Sequence, residues 1–205
     1  MEWNTLEQDA LAELFNLGLG RAAASLGKMT KHAIDLHTPT IKISNPNHIL
    51  ETLGLAEESD LFVIKMAFDG VIFGDSFLVF EKNNCEKLTE KIMGEPLPED
   101  QKEALTRDTL GEVGNIVLNA CLSSFCDTLS FSLETGIPIP LSERAGDFQI
   151  LLNTPEDKLG IVAEVSFYLA EEDTKGMIVF FMESGSINTL RGKISNFVRN
   201  ITQAN

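Results

Sequence analysis

Apolar residues recur at helical steps almost from the start of the chain. Leu11, Leu14, Gly18, Ala22 and Met29 follow Thr5-Leu6-Glu7-Gln8, which has the form of a capping box, so the pattern predicts a long helix over about residues 6–29. After Pro39 the composition turns β-branched and aromatic. Residues 40–44, 61–68 and 71–80 read as antiparallel strands, with Asp69-Gly70 as the turn signal between the last two. Asn83 has Glu86 three residues on, and Cys85, Leu88 and Ile92 form a short apolar stripe that stops at Gly94 and Pro96, which predicts a second, shorter helix.

A polar connector over residues 95–102, with Pro96 and Pro98, is followed by an amphipathic run ending near Leu129. Strand-like runs follow at 148–152, 159–169 and 177–182, and Ile187, Leu190, Ile194, Phe197 and Ile201 mark a last helix. Each half therefore reads helix, strands, helix. The repetition extends to single residues: Asp9, Glu13, Asn16 and Pro39 recur as Asp108, Glu112, Asn115 and Pro138, all 99 positions on. Cys85, Leu88 and Ile92 map onto Ile187, Leu190 and Ile194 at an offset of 102, so the halves differ by a small insertion. The expectation is one domain over 1–205, of α/β (α+β) class, built from two duplicated repeats at about 5–95 and 99–202.

With about 100° per helical residue, Asp9, Glu13 and Asn16 fall within a narrow arc, opposite Leu11, Leu14 and Gly18. Gly20 lies on the same polar face, where glycine costs a helix about 1 kcal/mol relative to alanine and where close approach by another molecule would explain it. A lone Glu-x-x-Asn on an exposed helix is ordinarily solvated surface; two copies at a fixed offset, each followed by proline, point to function. An amide does not titrate, so Asn16 and Asn115 cannot act as general bases, and no histidine stands at either site. The chemistry open to them is positioning, as when an amide orients the attacking water in phosphoryl transfer. Glu13 and Glu112 would be docking charges for a lysine on the partner.

Composition narrows the partners. Lys and Arg total 16 against 31 Asp and Glu, a formal charge of −15 that repels nucleic acid and anionic membrane surfaces. No basic or apolar leader opens the sequence and no apolar run approaches the roughly 20 residues that cross a bilayer, so a cytoplasmic location is expected. Cys85, Cys121 and Cys126 lack the spacing of a zinc knuckle or CxxC pair and read as buried thiols. His32, His37 and His48 lack ligand spacing, and Phe73, Phe77, Phe180 and Phe181 read as core. Gly18-Leu19-Gly20-Arg21-Ala22-Ala23 imitates a dinucleotide fingerprint but sits inside a helix and follows no strand. Asn200-Ile201-Thr202 fits a glycosylation acceptor without a secretory signal to use it.

The Asp-x₃-Glu-x₂-Asn-x₂₂-Pro pattern, in both copies, resembles the CheC-type phosphatases of bacterial chemotaxis, the CheC/CheX/FliY family, over essentially the whole chain. The run from Glu13 to Ala23 is similar to the first family signature and Glu112-Val113-Gly114-Asn115-Ile116 to the second; two copies favour a two-site, CheC-like member. The resemblance implies pseudo-twofold symmetry, with the signature helices side by side over an antiparallel sheet. It implies hydrolysis of the aspartyl phosphate of a CheY-like receiver domain. Glu13 and Glu112 would pair with the receiver's lysine, and Asn16 and Asn115 would place the water. Asp9, Gly20, Asp108 and Asn119 would support binding of the partner. No cofactor is expected in this chain, since Mg²⁺ belongs to the receiver. The second copy departs from the first in carrying Val117 and Asn119 where the first has Gly18 and Gly20, and both sites are expected to work. Other readings are a receiver-binding adaptor without catalysis, and a regulatory partner of the deamidase CheD. Internal duplication supplies both halves in one chain, so a monomer is expected.

Overall fold

The computed structural model describes residues 3–30, 34–152, 158–169 and 172–204. Helix α1 (Thr5–Thr30) leads into strand β1 (Ile34–Ser44), a 3₁₀ turn (Pro46–His48) and the short α2 (Ile49–Leu53). A hairpin of β2 (Asp60–Gly70) and β3 (Gly74–Glu81) and helix α3 (Lys82–Met93) complete the first half. The second half repeats this order with α4 (Lys102–Leu129), β4 (Leu133–Thr135), β5 (Ile139–Arg144), α5 (Ala145–Leu152), β6 (Lys158–Leu169), β7 (Glu172–Glu183) and α6 (Ser184–Ala204).

All seven strands form one antiparallel sheet in the order β1-β6-β7-β3-β2-β4, with β5 also on β2. The halves exchange their outer strands. Among the described residues β1 of the first half pairs only with β6 of the second, and β5 of the second pairs only with β2 of the first. At the centre β3 and β7 meet with Phe77 opposite Val179, two residues that are themselves 102 positions apart, so the pseudo-twofold axis passes between them.

Alternation along the strands separates two cores. Phe62, Ile64, Met66, Leu78, Phe80, Ile178 and Phe180 face α1, α3, α4 and α6, whereas Leu61, Val63, Phe77, Val79, Val179 and Phe181 face the opposite side. On that opposite side sit Ile49 and Leu50 of α2 and Ala145 and Phe148 of α5. The main core is anchored by Phe15, whose ring meets Phe125 edge-on at 5.1 Å and stacks on Phe180 at 5.3 Å. Each such pair adds about 0.5–1.5 kcal/mol beyond its buried area.

Several expectations need correction. The run at 148–152 is the end of α5 and not a strand: a short apolar run carries no period of its own, and here Ala145 and Phe148 bury one helical face. Its counterpart α2, and strand β5, had no strong pattern to announce them. Asp69-Gly70 is not the hairpin turn, because β4 supplies backbone partners for both residues and prolongs β2; the turn falls at residues 71–73. Phe73 in that turn is 43% exposed, while Phe77, Phe180 and Phe181 are buried. The cap of α1 lies one residue earlier than Thr5-x-x-Gln8. The Glu7 amide N–H donates to Asn4 Oδ1 (2.9 Å) and the Asn4 N–H donates to Glu7 Oε2 (3.1 Å). At α3 the cap position is Glu81, with no side-chain capping bond, and the helix stops at Gly94 in the left-handed region (φ 77°). Pro39 lies at the irregularity in the β1 to β6 register between His37 and Thr40, where a missing N–H is tolerated. His48 is an exposed partner of Glu51 (3.4 Å), and His32 lies outside the described residues.

Candidate functional site

Helices α1 and α4 pack side by side on the sheet, and small residues set how closely. A Cβ added to Gly18 would fall 2.6 Å from Cys121 Cα and 3.0 Å from Ala120 O, so the two helix backbones touch at that point. The buried Ser124 hydroxyl lies 2.6 Å from Leu14 O and 2.7 Å from Cys121 O and shares its proton between the helices. Arg21 Nη1 also reaches Asp127 Oδ2 across the pair at 2.6 Å, but both side chains are at least half exposed and the ion pair adds little. The start of α1 is tied to α6 through Glu7, which is 4% exposed and accepts from Arg191 Nε (2.9 Å) and Ser195 Oγ (2.6 Å).

With the apolar stripe of each helix turned into the core, the opposite stripe faces solvent. Asp9, Glu13, Asn16 and Gly20 are all exposed on α1, and nothing lies within 4 Å of a Cβ added to Gly20. On α4, Asp108 and Glu112 are exposed, whereas Asn115 and Asn119 are half-buried. The structure thus places all eight residues on the outward faces of two neighbouring helices. The face of α1 presents two carboxylates and one amide, and that of α4 two carboxylates and two amides.

The copies are not identical. Asn119 Nδ2 donates to Asn115 Oδ1 (2.8 Å) and to the Asn115 backbone carbonyl (2.9 Å), a contact for which the first copy has only Gly20. Gly114, beside Asn115, lies so close to β2 that an added Cβ would sit 2.6 Å from Ile64 Cγ2; its counterpart in the first copy is the bulky Phe15. Sequence reasoning did not single out Gly114 or Ser124. The signal for Gly114 was a glycine inside a helical pattern, which marks close packing when it is not a cap.

Among the described residues no three His, Cys, Asp or Glu side chains come together to hold a metal ion. Burial pushes the Cys85 and Cys121 thiols up to about 12, and burial followed by the charge of Asp127 raises Cys126, so none is a ready nucleophile. Among the described residues no helix is long and apolar enough to cross a membrane. What the paired faces present to solvent is negative charge and amides.

No family model matches the chain. A curated relative, the CheY-P phosphatase CheC of Bacillus subtilis (strain 168), is 22% identical over 135 residues, which cover 64% of this chain and 64% of that protein. The match thus takes in slightly less than two thirds of the relative's length. The crystal structure of Thermotoga maritima FliY superposes with a TM-score of 0.73 at 17% identity, covering 96% of this chain and all of the other. The chain thus has the fold of that FliY structure. A chain of the CheX–CheY–BeF3–Mg²⁺ complex from Borrelia burgdorferi superposes on this chain with a TM-score of 0.50 at 15% identity, over 81% of this chain and 96% of the other. As the sequence pattern implied, the two signature helices lie together over an antiparallel sheet.

Proposed function

We propose that the protein is a phosphatase of a phosphorylated, CheY-like receiver domain, with one site on α1 and one on α4. The observation that carries this reading is the pairing of two outward Glu-x-x-Asn faces, Glu13 with Asn16 and Glu112 with Asn115, on adjacent helices of a family in which a curated relative is a CheY-P phosphatase. Glu13 and Glu112 dock a lysine of the receiver, and each asparagine enters the receiver's active site, where its amide holds water in line with the aspartyl phosphate. Stabilisation of the developing charge comes from the receiver's own Mg²⁺, so this chain contributes orientation, the main task left in phosphoryl transfer. Asp9 and Asp108 extend the acidic docking surface, and the net charge of −15 favours a partner with a basic rim.

The decay of an acetyl-phosphate-labelled receiver, followed with and without this protein, tests the reading. Asn16→Ala combined with Asn115→Ala is expected to abolish the acceleration while leaving the circular dichroism spectrum unchanged, since neither side chain is part of the core. Full activity in the double variant would refute the mechanism. Binding of the labelled receiver with no acceleration by the wild type would identify an adaptor instead.

A further inference from the structure

Two large apolar side chains stand on the solvent side of α1 beside the Glu-x-x-Asn motif. Leu6 is 60% exposed and Leu17 is 45% exposed. At about 100° per residue they fall about 20–40° beyond Glu13, on the side away from Asn16. At a rise of about 1.5 Å per residue they lie about 17 Å apart along the helix, with Glu13 between them. Single exposed leucines are common and need no explanation. These two are repeated in the second copy: Leu105 and Ile116 stand 99 positions on, at the same steps from Glu112 and Asn115, and both are half-buried. Ile116 also packs against the main core, whereas Leu6, Leu17 and Leu105 lie outside both apolar clusters. Met29, 42% exposed, is the other large apolar residue turned to solvent on α1; it lies beyond the motif on a different side of the helix, and its counterpart is Thr128. Apolar character is thus repeated where the helix borders the motif and not where it has left it.

We infer that Leu6 and Leu17 on α1, and Leu105 and Ile116 on α4, are the apolar part of the receiver-docking surface and pack against an apolar patch at the rim of the receiver's active site. The inference rests on the phosphatase reading above. The receiver is the occupant because the stripe is continuous with the face on which it docks. Leu17 adjoins Asn16 and lies one helical turn from Glu13, so a domain that seats a lysine on Glu13 and admits Asn16 covers Leu17 as well. Carboxylates steer the encounter and set its register, and covering the leucines holds the partner once it has arrived. Taking the exposed half of one leucine out of water corresponds to a factor of about 3–12 in affinity.

Each site is isolated by removing the other's amide. In an Asn115→Ala background, which leaves the site on α1, Leu17→Gln is expected to raise KM for receiver dephosphorylation about 3–12-fold and to leave kcat unchanged, because a contact at the rim is made equally before and during reaction. Leu6→Gln should act in the same way, whereas Leu17→Met, which stays apolar, should remain at the parent value. In an Asn16→Ala background, Leu105→Gln should raise KM at the site on α4. Met29→Gln applies the same chemistry at a similarly exposed position off the face and is expected to leave KM unchanged. A parent KM in all three leucine-to-glutamine variants, or an equal rise in Met29→Gln, would overturn the inference and leave the phosphatase reading in place. Titration with a beryllofluoride-loaded receiver separates the opposite case. If the wild type binds it but accelerates no dephosphorylation, the phosphatase reading fails, and a loss of affinity of about 3–12-fold in Leu17→Gln still supports the docking surface, while an unchanged affinity overturns it. Absence of any binding overturns both.

Discussion

Glycine to alanine changes two positions apart on α1 are expected to have opposite signs. In a helix interior alanine is favoured over glycine by about 0.8–1.0 kcal/mol. At Gly20 nothing lies within 4 Å of the new methyl, so Gly20→Ala is expected to stabilise the protein by close to that amount. At Gly18 the same methyl would stand 2.6 Å from Cys121 Cα and 3.0 Å from Ala120 O and Cys121 N. Carbon pairs settle near 3.5–4.0 Å, so α1 and α4 would have to part by roughly 1 Å. These are backbone atoms, and no rotamer change can clear them. Overpacking of this kind costs about 1–3 kcal/mol, towards the upper end where backbone is struck, leaving Gly18→Ala destabilised by about 1–2 kcal/mol after the helical gain. The two variants should therefore differ by about 2–3 kcal/mol, or about 4–12 °C in Tm for a chain of this size. Urea titration read by circular dichroism, with m unchanged, measures the difference directly. Equal stabilisation by both alanines would show that α1 and α4 do not touch at Gly18. The second copy carries Val117 there, so making the copies more alike at this position should weaken the fold.

Two further outcomes are expected. Burial alone would raise the Glu7 carboxyl, but the bonds from Ser195, the Asn4 N–H and Arg191, with the Arg191 charge, bring it below its ordinary value of 4.5. Because the folded value is depressed, this stabilisation is complete above about pH 4.5 and is lost as pH falls through the folded value. Glu7→Gln should then cost about 1.5–3 kcal/mol near neutrality, and thermal melts of variant and wild type should converge in acid; a gap independent of pH would refute the assignment. Glu13→Gln with Glu112→Gln should weaken receiver binding and flatten its salt dependence, measured by titration at several ionic strengths, with a salt response equal to wild type as the contrary result.

Much of the site could be read from the sequence because the helical period is fixed. Once Leu11, Leu14 and Gly18 are assigned to the core, Glu13 and Asn16 have only the outer face to occupy, and the copy at Glu112 and Asn115 repeats the deduction. The elements that escaped are those whose form is set by distant partners. Phe148 looks the same on a short helix as on a strand until the opposite face of the sheet provides a surface for it. Strand β5 is short, carries Pro140 and sits at the sheet edge, so its extended state comes from pairing with β2 and not from local preference. Asp69-Gly70 has good turn chemistry, and β4 overrides it with ladder bonds. Asn4 and Glu7 displaced the Thr5 and Gln8 cap because Arg191 and Ser195, far along the chain, fix Glu7. The hydrogen bond from Asn119 to Asn115 was legible in principle, since residues four apart on a helix are neighbours.

The exchange of outer strands also imposes an order of events on the ribosome. Ile34 has to wait for Leu169 and Ser44 for Gly160 before β1 finds its partner, and the free edges of β2 and β3 wait for β5 and β7. At elongation rates of about 5–20 residues per second that interval is on the order of ten seconds. Throughout it the nascent chain carries a two-stranded hairpin and a lone strand with open hydrogen-bonding edges, the state most prone to pairing with a neighbour on the same messenger. The pace of translation through residues 139–183, more than the strength of any single contact, sets how long that exposure lasts.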